Sequence, residues 1–253
     1  MVEWRRERDL FFIALALLTR VPIPASTPHS PENLNAAARY FPLVGMLIGG
    51  AGALVYALAD QLWSAGIAIA LSMTATVLLT GAFHEDGLAD SCDGFGGGLQ
   101  KERVLAIMKD SRLGTFGAIG LVAVLGIKFL ALQALDPIGL TAAALIVAHG
   151  WSRLLAISYP LDMDYVREED TSKIKPLVTW ASSLSFRIAI ATTLPLLLLI
   201  SLQQLLLIAL VLLVWRWHFG RYMQRRIGGY TGDCLGAAQQ IAEVLIYLVL
   251  AAG

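Results

Sequence analysis

The sequence predicts an all-α protein, a polytopic transmembrane helical bundle of about seven spans with a short N-terminal re-entrant or interfacial helix. Three observations carry this prediction. The chain of 253 residues is 57% hydrophobic and 15% charged, and its mean hydropathy of +0.67 lies outside the usual range of soluble domains. Its apolar runs are long enough to cross a bilayer. Its Lys and Arg residues also concentrate in alternate loops, as they do in multi-pass membrane proteins.

The predicted spans are apolar runs that approach the roughly 20 residues needed to cross a bilayer. They cover residues 41–59, 62–83, 116–135, 138–158, 184–200, 202–219 and 235–252. An earlier run, 10–18, is too short to cross comfortably, and no clear signal-peptide cleavage site follows it. We therefore assign it to the N-terminal re-entrant or interfacial helix. No repeat or shift in composition divides the chain, so residues 1–253 are predicted to form a single integral membrane domain.

Loop charge predicts the orientation. The short turns at 60–61, 136–137 and 201 lack Lys and Arg, and the other loops, together with the span ends that adjoin them, contain nearly all of them. Because basic loops stay on the cytoplasmic side, we expect the N-terminus and residues 84–115 in the cytoplasm and the C-terminus outside. The balance of 19 basic and 19 acidic residues gives no sign of nucleic-acid binding. The widely separated Cys92 and Cys234 predict free thiols rather than a disulfide framework.

The chemistry is expected to centre on the acidic stretch that runs from His84 to residue 94. On a helix, Asp86, Asp90 and Asp93 share one face because they are spaced i, i+4 and i+7. Like charges at this spacing repel, so the face is either hydrated or occupied by a cation. Oxygen ligands favour Mg²⁺, whereas a zinc site using His84 and Cys92 is the weaker alternative. The glycines of residues 94–98 should end this helix.

Two further motifs precede predicted spans. In the first, Ser111 or Thr115 is predicted to cap the next helix, and Arg112 either binds phosphate or anchors the loop at the cytoplasmic face. In the second, residues 228–236, Asp233 is either an N-cap or an additional carboxylate of the metal site, and Gly229 and Gly232 would let substrate approach the backbone.

Two ionisable residues, Lys128 and His149, fall inside predicted spans. Such residues are often functional, but Lys128 can also extend its ammonium group outward to the membrane surface, and His149 can simply hydrogen-bond to its neighbours. Both alternatives stay open at this point.

Taken together, the motifs resemble those of the cobalamin synthase family, the adenosylcobinamide-GDP ribazoletransferases. The resemblance extends nearly from end to end in unchanged order, and Ser91 stands where threonine is also expected in relatives. The segments that carry it are 18–24 (LTRVPIP), 41–45 (FPLVG), 83–94 (FHEDGLADSCDG), 110–115 (DSRLGT) and 229–237 (GYTGDCLGA).

The resemblance implies a magnesium-dependent transferase of the inner (cytoplasmic) membrane that acts in the last stage of cobalamin biosynthesis, with its active site on the cytoplasmic face. Its substrates would be adenosylcobinamide-GDP and α-ribazole or α-ribazole 5′-phosphate, and its products adenosylcobalamin or its 5′-phosphate and GMP. On this hypothesis Asp86, Asp90 and Asp93 bind Mg²⁺ and take part in catalysis, and either His84 or one of these aspartates accepts a proton. The residues expected to bind substrate or phosphate are Asp110, Ser111, Arg112, Thr231 and Asp233.

Two other functions remain as alternatives. A membrane phosphotransferase of the CDP-alcohol type would perform a similar displacement, and an ion-coupled transporter would also place charge within the membrane. The expected partners are the small-molecule substrates and the lipid bilayer, with no nucleic acid; assembly into a homo-oligomer is left open.

Overall fold

The computed structural model describes residues 2–28, 30–110, 112–135, 138–166 and 182–252, and within them it is helical without a β-strand. An isolated bridge pairs Tyr165 with Tyr230. The all-α prediction is confirmed. The α-helices are α1 (Val2–Leu18), α2 (Pro31–Ala37), α3 (Phe41–Ala59), α4 (Ala65–Thr80), α5 (Phe83–Gly97), α6 (Lys101–Met108), α7 (Thr115–Gln133), α8 (Ile138–Ala156), α9 (Ser183–Thr193), α10 (Leu202–Ile227) and α11 (Gly232–Ala251). Short 3₁₀ turns cover Ala38–Tyr40, Tyr159–Leu161 and Leu194–Leu198.

Five helical segments among the described residues are long and apolar enough to cross a membrane. They contain α3, α7, α8, α10 and α11. Helices α4 and α5 make a sixth span if the bent pair counts as one, and the predicted run 184–200 corresponds to the shorter apolar helix Ser183–Leu198. The multi-pass architecture is therefore confirmed. By length and composition, five or six spans qualify among the described residues, and the predicted count of about seven stays a prediction. The predicted turn at 136–137 lies outside the described residues.

Helix α1 packs on the bundle. Its side chains Leu10, Ile13, Ala14 and Leu18 are buried in one cluster with residues of α3, including Val44 and Ile48. At 17 residues α1 is shorter than the roughly 20 needed to span a bilayer, which agrees with the prediction that the first helix does not cross.

Helix α11 occupies the centre of the molecule and packs against α5, α7, α8 and α10. Small residues allow close helix approach elsewhere in the bundle, because without a side chain two backbones can touch. At Gly49 of α3, for example, a Cβ atom would lie 2.8 Å from the Cα atom of Ile146 in α8. This central position brings α11 against the acidic helix.

A sharp turn separates α4 from α5, and the two helix axes differ by 88°. Gly81 and Ala82 both adopt left-handed backbone conformations, with φ of 69° and 59°. The backbone amide of Arg20 donates to the Leu79 carbonyl at 2.8 Å, and the Arg20 guanidinium packs against Gly81. The predicted span 62–83 therefore ends earlier, at Thr80, and the acidic helix starts in a new direction.

Candidate active site

The acidic motif lies on α5, as predicted, and the helix ends within the predicted glycine cluster at Gly97. Asp86 is exposed and Asp90 is half-buried, whereas Asp93 is only 9% exposed. Because these residues share one helical face, the stripe of carboxylates runs from the surface into the protein.

Asp93 binds the N-terminus of α7. Its Oδ2 atom accepts a hydrogen bond from the Gly114 amide at 2.7 Å, and its Oδ1 atom accepts one from the Gly117 amide at 2.8 Å. The first amides of a helix lack intrahelical partners and carry partial positive charge, so a carboxylate is favourable there. Asp93 therefore joins α5 to α7.

This contact corrects the predicted cap of α7. Thr115 is the first residue of the helix, and the N-cap is Gly114, which has no side chain with which to cap. Ser111, the other predicted cap, lies outside the described residues. A Cβ atom at Gly114 or at Gly117 would collide with the carboxylate of Asp93. Glycine at these positions thus leaves room for a capping group from another helix.

The second motif begins α11. Thr231 is the N-cap, and its hydroxyl accepts a hydrogen bond from the Cys234 amide at 3.3 Å. The alternative in which Asp233 is the N-cap is therefore wrong; Asp233 lies in the first turn, where negative charge is favourable. Gly229 packs against the backbone carbonyl of Asp164, so protein fills the space predicted for substrate there, whereas the Cβ position of Gly232 is open.

Helices α5 and α11 touch backbone to backbone, which brings the two motifs together. A Cβ atom at Gly87 would lie 3.0 Å from the carbonyl oxygen of Asp233 and 3.1 Å from its Cα atom. A Cβ atom at Gly236 would lie 3.2 Å from the carbonyl oxygen of His84. Gly87 directly follows Asp86 and precedes Asp90 by three residues. Residues from motifs about 150 positions apart in the sequence therefore meet at one place in the fold.

Arg112 and Asp110 form an ion pair at 2.6 Å on the surface, with the Arg112 side chain 87% exposed. The hydrogen bonds that Arg112 donates hold the pKa of the Asp110 carboxyl below its ordinary value. The guanidinium of Arg112 thus already binds an anionic group, but one in an exposed position where another anion can compete for it.

The aspartates do not form a ready-made metal cage. Among the described residues, no three or more His, Cys, Asp and Glu side chains are gathered closely enough to hold a metal ion. Mg²⁺ commonly uses one or two carboxylates together with water and substrate phosphates. Asp86 and Asp90 fit that chemistry, whereas both oxygens of Asp93 already accept amide hydrogen bonds. The magnesium ligand set and the zinc alternative both stay predictions.

A buried polar network inside the bundle includes both intramembrane residues predicted from the sequence. Glu243, fully buried, contacts Lys128 at 2.6 Å, His149 at 3.0 Å and Arg153 at 3.4 Å. The Lys128 side chain is 8% exposed, so it does not extend to the membrane surface. Gln239 and Gln240 complete the network by hydrogen bonds to Glu243 and Lys128, respectively. The roles of Arg153, Gln239, Gln240 and Glu243 were not predicted, although all four are polar residues within predicted spans.

His84 faces this network rather than the exposed carboxylates. It is 5% exposed and lies within electrostatic range of Arg153, Glu243, His149 and Lys128. Its ring packs edge-on against Phe83, with ring centroids 5.2 Å apart. This position makes an aspartate of the stripe the better placed of the predicted proton acceptors, and the catalytic assignments remain predictions.

These features define a multi-pass helical membrane protein with a carboxylate-rich site at the contact between an acidic helix and its final helix. The family model for cobalamin-5-phosphate synthase matches residues 10–251. The chain belongs to this family and is a transferase of cobalamin synthesis.

Curated relatives match along almost their whole length. A Vibrio cholerae protein is 46% identical over an alignment that covers 98% of this chain and 95% of the relative's length. For a protein from Shewanella pealeana the identity is 47%, with 99% of this chain and 97% of the relative's length covered. A protein from Ralstonia nicotianae is 49% identical over 100% of this chain and 98% of its own. All three are named adenosylcobinamide-GDP ribazoletransferase. No solved structure matches the chain.

Proposed function

We propose that the protein is an adenosylcobinamide-GDP ribazoletransferase. It joins α-ribazole, or α-ribazole 5′-phosphate, to adenosylcobinamide-GDP and releases GMP. In this reaction the ribazole hydroxyl oxygen forms a bond to the cobinamide-side phosphorus, the bond from that phosphorus to the bridging oxygen breaks, and the hydroxyl proton is lost. The product is adenosylcobalamin or its 5′-phosphate.

The observation that carries this proposal is the backbone contact between Gly87 and Asp233. It places the acidic stripe beside the N-terminal turn of α11 in a chain whose relatives bear the name of this enzyme. A displacement at a pyrophosphate requires groups that align two anionic reactants and neutralise charge on the leaving group. Carboxylates from two helices, with a basic residue nearby in the chain, supply the means for both.

Each candidate residue then has a role suited to its position. Asp86 and Asp90 would hold Mg²⁺, which when bound supplies positive charge to the pyrophosphate oxygens. Asp233 orients the acceptor alcohol, and a carboxylate of the stripe accepts its proton. The buried hydroxyl of Thr231 supports Asp233 by capping the first turn of α11. The Arg112 guanidinium releases the Asp110 carboxylate and binds a substrate phosphate in its place, because a guanidinium binds phosphate through paired hydrogen bonds. Asp93 holds α5 against α7.

The same charge pattern supports a location in the inner membrane with the site on the cytoplasmic face. The α5–α6 region carries Lys101, Arg103 and Lys109 next to the acidic helix, and basic loops remain in the cytoplasm. Nucleotide substrates would then reach the site from the cytoplasm. A phosphotransferase of the CDP-alcohol type remains the second candidate because it uses the same kind of displacement. A transporter would also place charge within the bundle, such as that around Glu243, but the chain belongs to a family of synthases rather than carriers.

The test is reconstitution. The purified protein in lipid, supplied with adenosylcobinamide-GDP, α-ribazole and Mg²⁺, should release GMP and form the cobamide in equal amounts. A parallel reaction with CDP-alcohol lipid and α-ribazole tests the second candidate by CMP release. If a preparation with a cooperative unfolding transition yields no GMP, the proposed function is wrong.

A further inference from the structure

Gln240 of α11 uses all of its side-chain hydrogen-bonding groups inside the buried network. Its Oε1 atom accepts from the Lys128 ammonium at 2.8 Å. Its Nε2 group donates to the Gln239 carbonyl oxygen at 3.0 Å and to Oε1 of Glu85 at 3.1 Å. Gln240 is therefore a direct link between the charged network and the acidic helix α5.

Glu85 is directed toward the protein interior, although its neighbour Asp86 is exposed. Successive residues of an α-helix point about 100° apart, so one can face the interior while the next faces solvent. Besides the bond from Gln240, Glu85 lines a small cavity of about 10 Å³ together with Lys128, His149 and Tyr247. Glu85 thus anchors the first turn of α5, the turn that also carries Asp86, to the interior of the bundle.

The network to which Gln240 belongs links three helices. The ionic contacts of Glu243 with Lys128, His149 and Arg153 tie α11 to α7 and α8. Removing one partner from such a buried set leaves an uncompensated charge, so the set persists as a unit. Lys128, Arg153, Glu243 and Glu85 also balance in formal charge, with two positive and two negative groups when His149 is neutral.

We propose that Gln240 is a positioning residue that, by holding Glu85, fixes the orientation of the acidic helix relative to α11. This inference rests on the proposed function, because the geometry it controls is that of Asp86 and Asp90 opposite Asp233. Gln240 acts through Glu85 and need not touch substrate. Small displacements of catalytic groups cost large factors in turnover, so loss of the link should appear mainly in kcat.

The main experiment compares Gln240→Leu with Gln239→Leu in the full-length protein in lipid. Both glutamines are buried neighbours on α11 and both form hydrogen bonds within the network, but the hydrogen bond to Glu85 comes from Gln240. We expect Gln240→Leu to lower kcat by between about 10-fold and 100-fold with little change in KM, and Gln239→Leu to have a clearly smaller effect. Equal losses in the two variants would show general damage to the network and would overturn the inference.

The other end of the same hydrogen bond provides an independent test. Glu85→Gln keeps an oxygen that can accept from Gln240 and should retain most turnover, whereas Glu85→Leu should lose as much as Gln240→Leu. The double variant Glu85→Leu/Gln240→Leu should lose little more turnover than either single variant, because both substitutions remove the same hydrogen bond. Additive losses would contradict the proposal. If Gln240→Leu fails to fold, the comparison of Glu85→Gln with Glu85→Leu still tests the proposal.

Hydrogen exchange separates this inference from the proposed function. We expect amides of residues 83–97 to exchange faster in Gln240→Leu than in Gln239→Leu, whatever reaction the protein catalyses. If wild-type protein releases no GMP but this difference is present, the proposed function fails and the positioning role stands. If the exchange of α5 is the same in both variants, the positioning role fails.

Discussion

Asp93 shows how a single carboxylate of the acidic stripe can hold two helices together. A buried carboxylate is costly unless hydrogen bonds compensate for lost hydration. Here the amides of Gly114 and Gly117, at 2.7 and 2.8 Å, provide that compensation. Since these amides belong to the first turn of α7, the helix dipole adds to the attraction.

Asp93→Asn should therefore destabilise the fold. An asparagine can accept one amide hydrogen bond through its oxygen but directs an NH₂ group at the other donor, at an expected cost of about 1–3 kcal/mol. Thermal unfolding in detergent measures this loss. The same change at Asp86, exposed on the same face, should alter stability by less than about 0.5 kcal/mol. Equal unfolding temperatures for the two variants would contradict the capping role.

Asp90 lies between the exposed and the buried ends of the stripe and is expected to act in the reaction. Asp90→Asn should leave membrane insertion intact but remove most turnover, because it deletes a carboxylate of the proposed magnesium site. GMP release measures the effect, with Asp60→Asn in the remote α3–α4 turn as the matched control. Near-normal rates for Asp90→Asn would remove Asp90 from the metal site.

At the scale of elements, the turn between α4 and α5 sets the direction of the acidic helix. Gly81 and Ala82 have φ of 69° and 59°, a conformation that glycine adopts easily and alanine does not. The Arg20 guanidinium packs on Gly81, in the space that a Cβ atom would need. The early segment 18–24 therefore supports the turn that begins the candidate site.

Substitutions at Gly81 and Ala82 should change the free energy of unfolding by different amounts or in opposite directions. Gly81→Ala adds a Cβ atom in a left-handed conformation and displaces Arg20, so it should cost at least about 1–2 kcal/mol. Ala82→Gly relieves the same conformational strain but increases the freedom of the unfolded chain, and the net change should be close to zero. Unfolding midpoints of the purified variants check both expectations. Similar losses at both positions would mean that the turn conformation does not determine stability.

At the scale of the whole molecule, periodicity and hydropathy predicted the helical class, the extents of α3 and α7, and the acidic helix with its glycine end. They did not predict the partners of polar side chains, because a hydrogen bond such as Asp93 to Gly117 depends on tertiary packing between distant segments. Glu243 and Gln240 were visible as polar residues in an apolar run. Their convergence on Lys128 and Glu85 depends on the packing of α11 at the centre of the bundle.

The arrangement of α9 and α10 bears on the number of crossings. Ser185 at the start of α9 accepts a hydrogen bond from Arg39, which lies just before α3. At the far end of α10, Arg226 donates to the carbonyl of Phe95, near the end of α5. Helix α10 has 26 residues, so it extends about 39 Å, more than the hydrocarbon thickness of about 30 Å. Ser201 should thus lie on the face opposite the acidic helix, and Ser183–Leu198 should cross the membrane despite its length.

Labelling with a membrane-impermeant maleimide tests this topology in a background that carries Cys92→Ala and Cys234→Ala. Leu202→Cys, 71% exposed at the start of α10, should react in intact cells, whereas Leu99→Cys, 93% exposed beside the acidic helix, should react only after the membrane is opened. Leu202 is chosen because its replacement leaves the capping hydroxyl of Ser201 in place. If both cysteines react only after the membrane is opened, residue 202 lies on the same side as the acidic helix and α9 does not cross. Both ends of α10 would then lie on that side of the membrane. A straight helix of this length can have both ends on one side only if it lies along the membrane surface. The apolar stretch of about 18 residues in α10 is poorly suited to that position.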